Sequence, residues 1–253
     1  MIQLKNAQEL AKMRRACQIS AEALKLAGRS IEAGMTTADL DKIIYDYIKR
    51  HGARPNFKGL YGFPGTACIS INDEVIHGIP SHSRQIRPGD IVSIDTGAAI
   101  NGFNGDNACT FPCGKVDIEA QRLMDVTKES LHRGIAAAVA GNRVGDIGHA
   151  VQSYVEENGF SVVRSFVGHG VGKELHEDPE VPNYGHAGHG VRLVNGMTIA
   201  IEPMVNQKHH SVKTLSDGWT VVTADGGLAA HFEHSIAILP GGPEILTIGW
   251  EEP

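Results

Sequence analysis

Two stretches of the sequence decide the fold: Gly89-Asp90-Ile91-Val92-Ser93-Ile94-Asp95 and Gly196-Met197-Thr198-Ile199-Ala200-Ile201-Glu202. Each runs from a glycine through an apolar strand to a carboxylate, and one fixed offset carries the first stretch onto the second. Further matches at the same offset are Ala33-Gly34 with Ala140-Gly141, Tyr47-Ile48 with Tyr154-Val155, and Gly52 with Gly159. The chain is therefore predicted to hold two related halves, roughly 1–110 and 111–253, whose acids meet at a shared centre.

Periodicity predicts the elements of each half. Apolar residues at helical spacing predict helices near 6–28, 36–52, 118–139 and 145–158. Strands are predicted at Ala67–Ile71, Ile91–Ala99, Val162–Phe166, Met197–Ile201, Trp219–Thr223 and Phe232–Leu239. Because these elements do not alternate as in a doubly wound sheet, we predict an α+β fold in a single domain over 1–253.

The composition restricts the class of protein. With 253 residues, 42% hydrophobic and 21% charged, the chain has the composition of a globular protein with a sizeable core. Its net charge of -6 argues weakly against nucleic acid as the main ligand. The sequence shows no apolar signal core and no stretch long enough to span a bilayer. Four cysteines without a CxxC pair favour a reduced, cytoplasmic protein.

Four acids stand at strand positions. Asp95 and Asp106 flank the turn at Asn101-Gly102, a spacing that suits a hairpin with both acids on one face. Glu202 ends an apolar strand, and Glu233 lies in another. A turn or capping role remains an alternative for Asp106, and each glutamate taken singly is more simply interpreted as a salt-bridged structural acid.

Histidines supply the second set of candidates. His169 lies in Gly168-His169-Gly170-Val171-Gly172, where glycines allow close backbone approach; a phosphate loop is the rival interpretation, but its helix and Lys-Ser/Thr ending are missing. His77 and His176 each begin a His-x-x-Pro pattern, which favours substrate contacts near the acids. The remaining histidines of Gly-rich or basic loops are predicted to be surface residues: His186, His189, His209 and His210.

Four carboxylates and one histidine form an oxygen-rich ligand set with enough charge for two divalent cations. Such a set favours Mn²⁺, Fe²⁺ or Co²⁺, with Zn²⁺ as an alternative. Paired cations hold a bridging water, lower its pKa and stabilise both ends of a hydrolytic displacement.

In order and spacing, these residues resemble the methionine aminopeptidases of the short bacterial type (type I), in peptidase family M24. The landmarks are Cys68-Ile69-Ser70-Ile71-Asn72, His77-Gly78-Ile79-Pro80, Gly89-Asp90-Ile91-Val92, Asp95 with Asp106, Gly168-His169-Gly170-Val171-Gly172, His176-Glu177, Ile201-Glu202-Pro203 and Phe232-Glu233-His234. The resemblance covers essentially the whole chain. It implies the pita-bread fold, two pseudo-symmetric halves around a curved antiparallel sheet, and removal of the initiator methionine from nascent proteins whose second residue is small.

The resemblance also implies a role for each residue. Asp95 would bind one cation, Asp106 and Glu233 would bridge both, and His169 and Glu202 would complete the second. Glu202 would also be the general base, His176 would donate to the scissile carbonyl oxygen, and His77 would contact the scissile amide or the flanking backbone. The methionine side chain would lie among Tyr61, Phe63, Cys68 and Trp219. For Tyr61 and Trp219, simple core packing remains an equal alternative.

The chain departs from the family pattern at two places. Gly97 stands where a threonine is common, and Asn107-Ala108 stands where Thr-Ser is usual. Because outer hydrogen bonds tune metal sites, these departures bear on metal preference and rate. The implied partners are N-terminal methionine peptides and nascent chains, with a transient ribosome contact, no DNA and no membrane; a monomer is expected.

Three rival interpretations share the fold. A proline-specific aminopeptidase or prolidase normally has a large extra N-terminal domain, whereas only the short stretch 1–76 precedes His77 here. The type II enzyme carries a late helical insertion, for which the short stretch between His176 and Glu202 leaves little room. A catalytically silent binding module would have lost metal ligands, and all five are present.

Overall fold

A computed structural model describes residues 2–250. Residue 1 and residues 251–253, the outermost ends of the predicted domain, lie outside the described residues. Within 2–250 the helices are α1 (Ala7–Arg29), α2 (Thr37–Arg50), α3 (Ile118–Ala137) and α4 (Val144–Glu157), with one short 3-10 turn at Leu60–Gly62.

The strands of the same range are β1 (Arg54–Pro55), β2 (Ala67–Ile71), β3 (Glu74–Ile76), β4 (Ile91–Ile100), β5 (Phe103–Pro112), β6 (Ser161–Val162), β7 (Gly168–Gly170), β8 (Glu177–Val181), β9 (Thr198–Ile201), β10 (Met204–Asn206), β11 (Val212–Thr214), β12 (Val221–Thr223), β13 (Ala229–His231), β14 (Glu233–Leu239) and β15 (Gly242–Ile245).

One large antiparallel sheet organises the molecule. Its strand order is β1-β4-β5-β14-β9-β7-β8, with β2 added beside β4 and β15 beside β14. Two three-stranded sheets, β13-β10-β6 and β11-β12-β3, complete the strands of the described range. The helices form separate segments rather than βαβ crossovers, so the predicted α+β class is confirmed.

The predicted pseudo-symmetry is visible in matching structural details. The offset that relates Gly89 to Gly196 carries the bounds of α2 onto those of α4 and the start of β4 onto the start of β9. It also carries the isolated bridge Thr36↔Gln85 onto Arg143↔Arg192. Glycines with positive φ recur at the same offset: Gly34 with Gly141, Gly52 with Gly159, and Gly89 with Gly196. Both halves therefore reuse the same helix ends and the same turn before the acid-bearing strand.

The two halves share one hydrophobic core. Ile44 of α2 and Ile94 of β4 belong to the same buried cluster as Val151 of α4 and Ile201 of β9. Helix α1 lies against β5 so closely that a Cβ at Gly105 would be 2.5 Å from Cys17 Cα. Residues from both halves of the sequence therefore pack into one buried cluster, and a single domain over 1–253 stays a prediction.

Two predicted strands are shorter by two or more residues in the structure. The strand expected over Val162–Phe166 is paired only at Ser161–Val162, and Phe166 instead lies edge-on to His77, with ring centroids 5.7 Å apart. The strand expected over Trp219–Thr223 starts at Val221. The reason is local: the Asp217 carboxylate accepts the amides of Trp219 and Thr220, so these donors are withdrawn from the sheet.

Candidate metal centre

The β4–β5 hairpin brings the first two acids to one face. Its turn is Asn101-Gly102, with φ of 55° and 78°, as a type I′ turn requires. The register pairs Gly97 with Asp106 and Asp95 with Ala108, so both carboxylates point to the same side. The predicted hairpin is confirmed. The turn or capping interpretation of Asp106 is wrong, because this residue lies inside β5 and is 3% exposed.

The other three ligand candidates come from neighbouring strands. Glu233 begins β14 and pairs with Ala108, which places it in the same cross-strand row as Asp95. Glu202 directly follows β9, the next strand of the sheet. His169 is the central residue of β7, which pairs with β9. The sheet order thus collects side chains from both halves of the sequence.

The distances define a compact cluster. Ligand atoms of Asp106, His169 and Glu233 all lie within 4.8 Å of one another. His169 Nε2 is 3.7 Å from Asp106 Oδ2 and 3.5 Å from Glu202 Oε1. Asp95 lines the same cavity of about 520 Å³. All five residues predicted to be ligands therefore face one cavity.

The buried carboxyl groups of this cavity would be stabilised in their ionised form by positive charge. Burial and the neighbouring acids Asp106 and Glu202 raise the pKa of Asp95 well above its ordinary value. Burial raises the pKa of Asp106 to about 7, and burial followed by Asp106 raises the pKa of Glu202. One carboxylate oxygen in each of Asp95, Asp106 and Glu233 is buried without a hydrogen-bond partner. Cations would satisfy these oxygens, so the residues fit the metal centre that the fold implies.

His169 is prepared as a neutral ligand. Its Nδ1 lies 2.9 Å from the carbonyl oxygen of Gly170, and a carbonyl only accepts. Nδ1 therefore carries the proton, and the Nε2 lone pair faces the carboxylates. Burial, with a smaller effect from His176, lowers the pKa of His169 to about 4. The imidazole is thus uncharged at neutral pH.

His176 and His77 stand over the acid cluster. The ring of His176 meets that of His169 edge to face, with centroids 4.5 Å apart. His77 has a φ of 59°, which is costly for a residue with a Cβ and typical of functional sites. Burial, then His176, lowers the pKa of His77 to about 4, and burial also lowers the pKa of His176. Both rings are therefore neutral hydrogen-bonding groups near pH 7.

An apolar pocket adjoins this cluster. Three of the four residues predicted for it lie there: Phe63 and Cys68 are buried, and Trp219 packs against Phe63 with ring centroids 5.1 Å apart. Tyr61 does not pack into the pocket; it is 79% exposed and stacks on His176 at the cavity rim. Pocket residues that sequence reasoning missed are Phe57, Leu60, Ile79 and Leu175.

Sequence reasoning also missed His231. This residue is 2% exposed, and its Nε2 lies 3.8 Å from Glu202 Oε2. Burial, then His77, lowers the pKa of His231 to about 3. Strand alternation was the available signal, because His231 stands two positions before Glu233 and an unbroken strand would place both on one side; in the structure His231 ends β13 and Glu233 begins β14. The histidines predicted to be surface residues are exposed or half-buried in loops: His186, His189, His209 and His210.

In the described part of the chain, no helix combines the length and the apolar character that crossing a membrane requires.

Comparison with known proteins places these features in a family. The model of metallopeptidase family M24 matches residues 11–240. Methionine aminopeptidase of Clostridium perfringens is 55% identical over 98% of this chain and 99% of its own length. Methionine aminopeptidase 1 of Bacillus subtilis is 51% identical over 98% and 99%.

Solved structures agree with the similarity found in sequence. The crystal structure of methionine aminopeptidase from Thermotoga maritima superposes with a TM-score of 0.96 at 45% identity, over 98% of this chain and 99% of that one. Prolidase from Pyrococcus furiosus shares the fold alone, with 23% identity, a TM-score of 0.79, and 97% and 65% of the two chains covered. The predicted pita-bread fold is thereby confirmed. The chain therefore belongs to metallopeptidase family M24 and, within it, to the methionine aminopeptidases.

Proposed function

We propose that this aminopeptidase removes the initiator methionine from peptides and nascent proteins whose second residue is small. The observation that carries the proposal is the acid–histidine cluster beside an apolar, aromatic pocket in one cavity. The names and full-length similarity of the relatives support the same activity. The proline-specific alternative rests on a 23% likeness that shows the fold alone, and a silent module would not keep every ligand candidate.

In this proposal two divalent cations would be held by five side chains: Asp95, Asp106, His169, Glu202 and Glu233. When bound, such cations polarise the scissile carbonyl and make a water nucleophilic near neutral pH. The three unpartnered carboxylate oxygens and the Nε2 lone pair of His169 support this ligand set. Mn²⁺, Fe²⁺ or Co²⁺ are favoured by the oxygen-rich donors, with Zn²⁺ as an alternative.

The chain's own groups would handle the proton and the developing charge. Glu202 takes the proton of the attacking water and delivers it to the leaving amine, as its position between His169 and His231 allows. Neutral His176 donates an N–H to the carbonyl oxygen as negative charge develops there. Neutral His77 hydrogen-bonds the scissile amide or the adjoining backbone. Glu202, His176 and His77 are thus the proposed catalytic residues.

The methionine side chain would enter the apolar pocket. Phe63, Cys68 and Trp219 offer rings and a thiol that suit a thioether. Because Phe57, Phe63 and Cys68 are buried, a thioether side chain among them would leave water and gain from apolar contact. Tyr61, on the rim above His176, would contact the substrate backbone rather than the methionine.

The proposal also covers the compartment, the oligomeric state and the partners of the enzyme. We place the enzyme in the cytoplasm, acting as a monomer on chains leaving the ribosome, without DNA or membrane partners. The reduced state of four buried cysteines is consistent with that compartment.

The experiment compares hydrolysis of Met-Ala-Ser, Met-Leu-Ser and Ala-Pro-Ala by metal-free protein reconstituted with Mn²⁺, Fe²⁺ or Co²⁺. We expect cleavage of Met-Ala-Ser alone, its loss by at least about 100-fold in Glu202→Gln, and no change in the exposed control Glu157→Gln. Preference for Ala-Pro-Ala would transfer the protein to the proline-specific enzymes. Absence of cleavage with every metal would favour a binding module.

A further inference from the structure

Gly97 carries no side chain at a place where one would point into the metal centre. Its register partner is Asp106, and it lies two positions after Asp95 on the same strand. A side chain at position 97 would therefore project on the same face as both carboxylates. The structure shows what fills this space instead.

The carboxamide of Asn56 occupies it. A Cβ built on Gly97 would be 2.2 Å from Asn56 Oδ1 and 2.7 Å from its Cγ. Asn56 follows β1, and its backbone amide donates to Gly97 O at 3.2 Å. Its side chain crosses β4 above Gly97, because Nδ2 reaches Gly105 O on β5 at 3.3 Å. Because Gly97 is the register partner of Asp106, the carboxamide lies on the same face of the sheet as the Asp106 carboxylate.

The orientation of this amide follows from its partners. Asn104 Nδ2 donates to the carbonyl oxygens of Gly172 and Lys173, which leaves Asn104 Oδ1 as an acceptor. Asn56 Nδ2 donates to that oxygen at 3.4 Å and to Gly105 O. Both of these partners only accept, so Nδ2 is the atom turned toward them. Asn56 Oδ1 is therefore the carboxamide atom that these two contacts do not use.

Asn56 Oδ1 has no protein donor in the described part of the chain. The residue is 4% exposed, and this oxygen is buried without a hydrogen-bond partner. A buried acceptor without a donor carries the full cost of its desolvation. Asp106 Oδ1 is also buried without a hydrogen-bond partner, and it only accepts once the carboxylate is ionised, as a metal ligand must be. A water molecule donates twice and so satisfies two acceptors at once.

We propose that Asn56 is a positioning residue of the metal centre, whose Oδ1 and Asp106 Oδ1 together accept the two hydrogens of one bound water. In this arrangement Asn56 takes over the space and the polar contact that a hydroxyl-bearing residue at position 97 would supply. The loss of a side chain at Gly97 is then compensated by the side chain of Asn56. This inference rests on the proposed function, because it assigns Asn56 a task in the same metal centre.

The test measures Mn²⁺ affinity by calorimetry, together with the melting temperature of the metal-free protein. We expect Asn56→Ala to weaken Mn²⁺ binding by about 10–100-fold, as removal of outer contacts does. Asn206→Ala is the matched control: Asn206 is also buried and has one unpartnered oxygen, but it lies in β10. It should change the melting temperature and leave Mn²⁺ affinity within about twofold.

A double variant provides rescue. Asn56→Ala clears the space at position 97, so Asn56→Ala combined with Gly97→Thr supplies a hydroxyl on the same face. We expect this pair to recover Mn²⁺ affinity relative to Asn56→Ala alone; no recovery would reduce Asn56 to a packing role.

Other outcomes also decide the matter. A folded Asn56→Ala protein that binds Mn²⁺ like the unaltered chain would overturn the inference and leave the proposed function standing. An unaltered chain that binds no Mn²⁺ would overturn both. A crystal structure of the Mn²⁺-loaded protein needs no variant: we expect an ordered water about 2.7–3.0 Å from Asn56 Oδ1, and its absence refutes the assignment.

Discussion

A buried ion pair holds the loop that carries His176. Lys5 Nζ contacts Glu177 Oε2, and the two side chains are only 4% and 7% exposed. Glu177 begins β8 immediately after His176, while the Lys5 amide donates to Gly196 O at 2.8 Å. The N-terminal segment is therefore tied to the loop between His169 and His176. Lys5→Met keeps most of the side-chain volume and removes the charge.

The expected loss follows from the burial of the partner. Without Lys5, the Glu177 carboxylate keeps the Glu174 amide, at 3.2 Å, to offset its desolvation. Breaking such a pair from one side costs about 3–5 kcal/mol. For a chain of this length that corresponds to a fall in melting temperature of roughly 6–20 °C. The control is Lys42→Met, whose ion pair with Asp46 has side chains 74% and 46% exposed and should cost less than about 0.5 kcal/mol.

Urea unfolding of the metal-free protein, followed by circular dichroism, measures both variants. The double variant Lys5→Met with Glu177→Leu removes both charges and should regain much of the stability lost in Lys5→Met. The reasoning is refuted if Lys5→Met lowers the free energy of unfolding by less than about 1 kcal/mol. It is also refuted if the double variant loses more free energy of unfolding than Lys5→Met and Glu177→Leu lose together as single variants.

Three further predictions concern the core, the pocket and pH. Gly105→Ala should cost about 1–3 kcal/mol, because the added Cβ meets the Cys17 backbone at 2.5 Å, whereas Gly241→Ala, with nothing within 4 Å, should be nearly neutral in the same unfolding assay. Trp219→Ala should raise KM for Met-Ala-Ser roughly tenfold or more and affect kcat less; an unchanged KM would remove Trp219 from the methionine pocket. Asp106 should make the metal-free protein less stable as pH rises from about 4 to 7, because its folded pKa is raised to about 7 from 3.8 and the unfolded chain releases that proton first; the buried histidines with lowered pKa values act in the opposite direction. Calorimetry of the unaltered chain and of Asp106→Asn across this range isolates the Asp106 contribution: the stability of the unaltered chain relative to the variant should fall as pH rises, and a rise would contradict the reasoning.

Local sequence patterns were sufficient to predict the helices and the β4–β5 hairpin. Apolar spacing predicted α1 and α2, and in the structure capping boxes at Asn6-to-Glu9 and Thr36-to-Asp39 mark their starts. Asn101-Gly102 predicted the turn between β4 and β5 because few residues other than asparagine and glycine adopt positive φ at both positions. Strand ends were less predictable where a side chain competes for backbone donors, as Asp217 does before β12.

The sequence by itself determined the repeat, the acids that end its strands and the family resemblance, because these depend on residue identity and spacing along the chain. Only the tertiary structure decided which residues meet across strands. It placed His231 beside Glu202, turned Tyr61 outward and laid Asn56 over Gly97. The physical reason is that such contacts depend on register and side-chain direction between segments distant in sequence, and no local pattern encodes these.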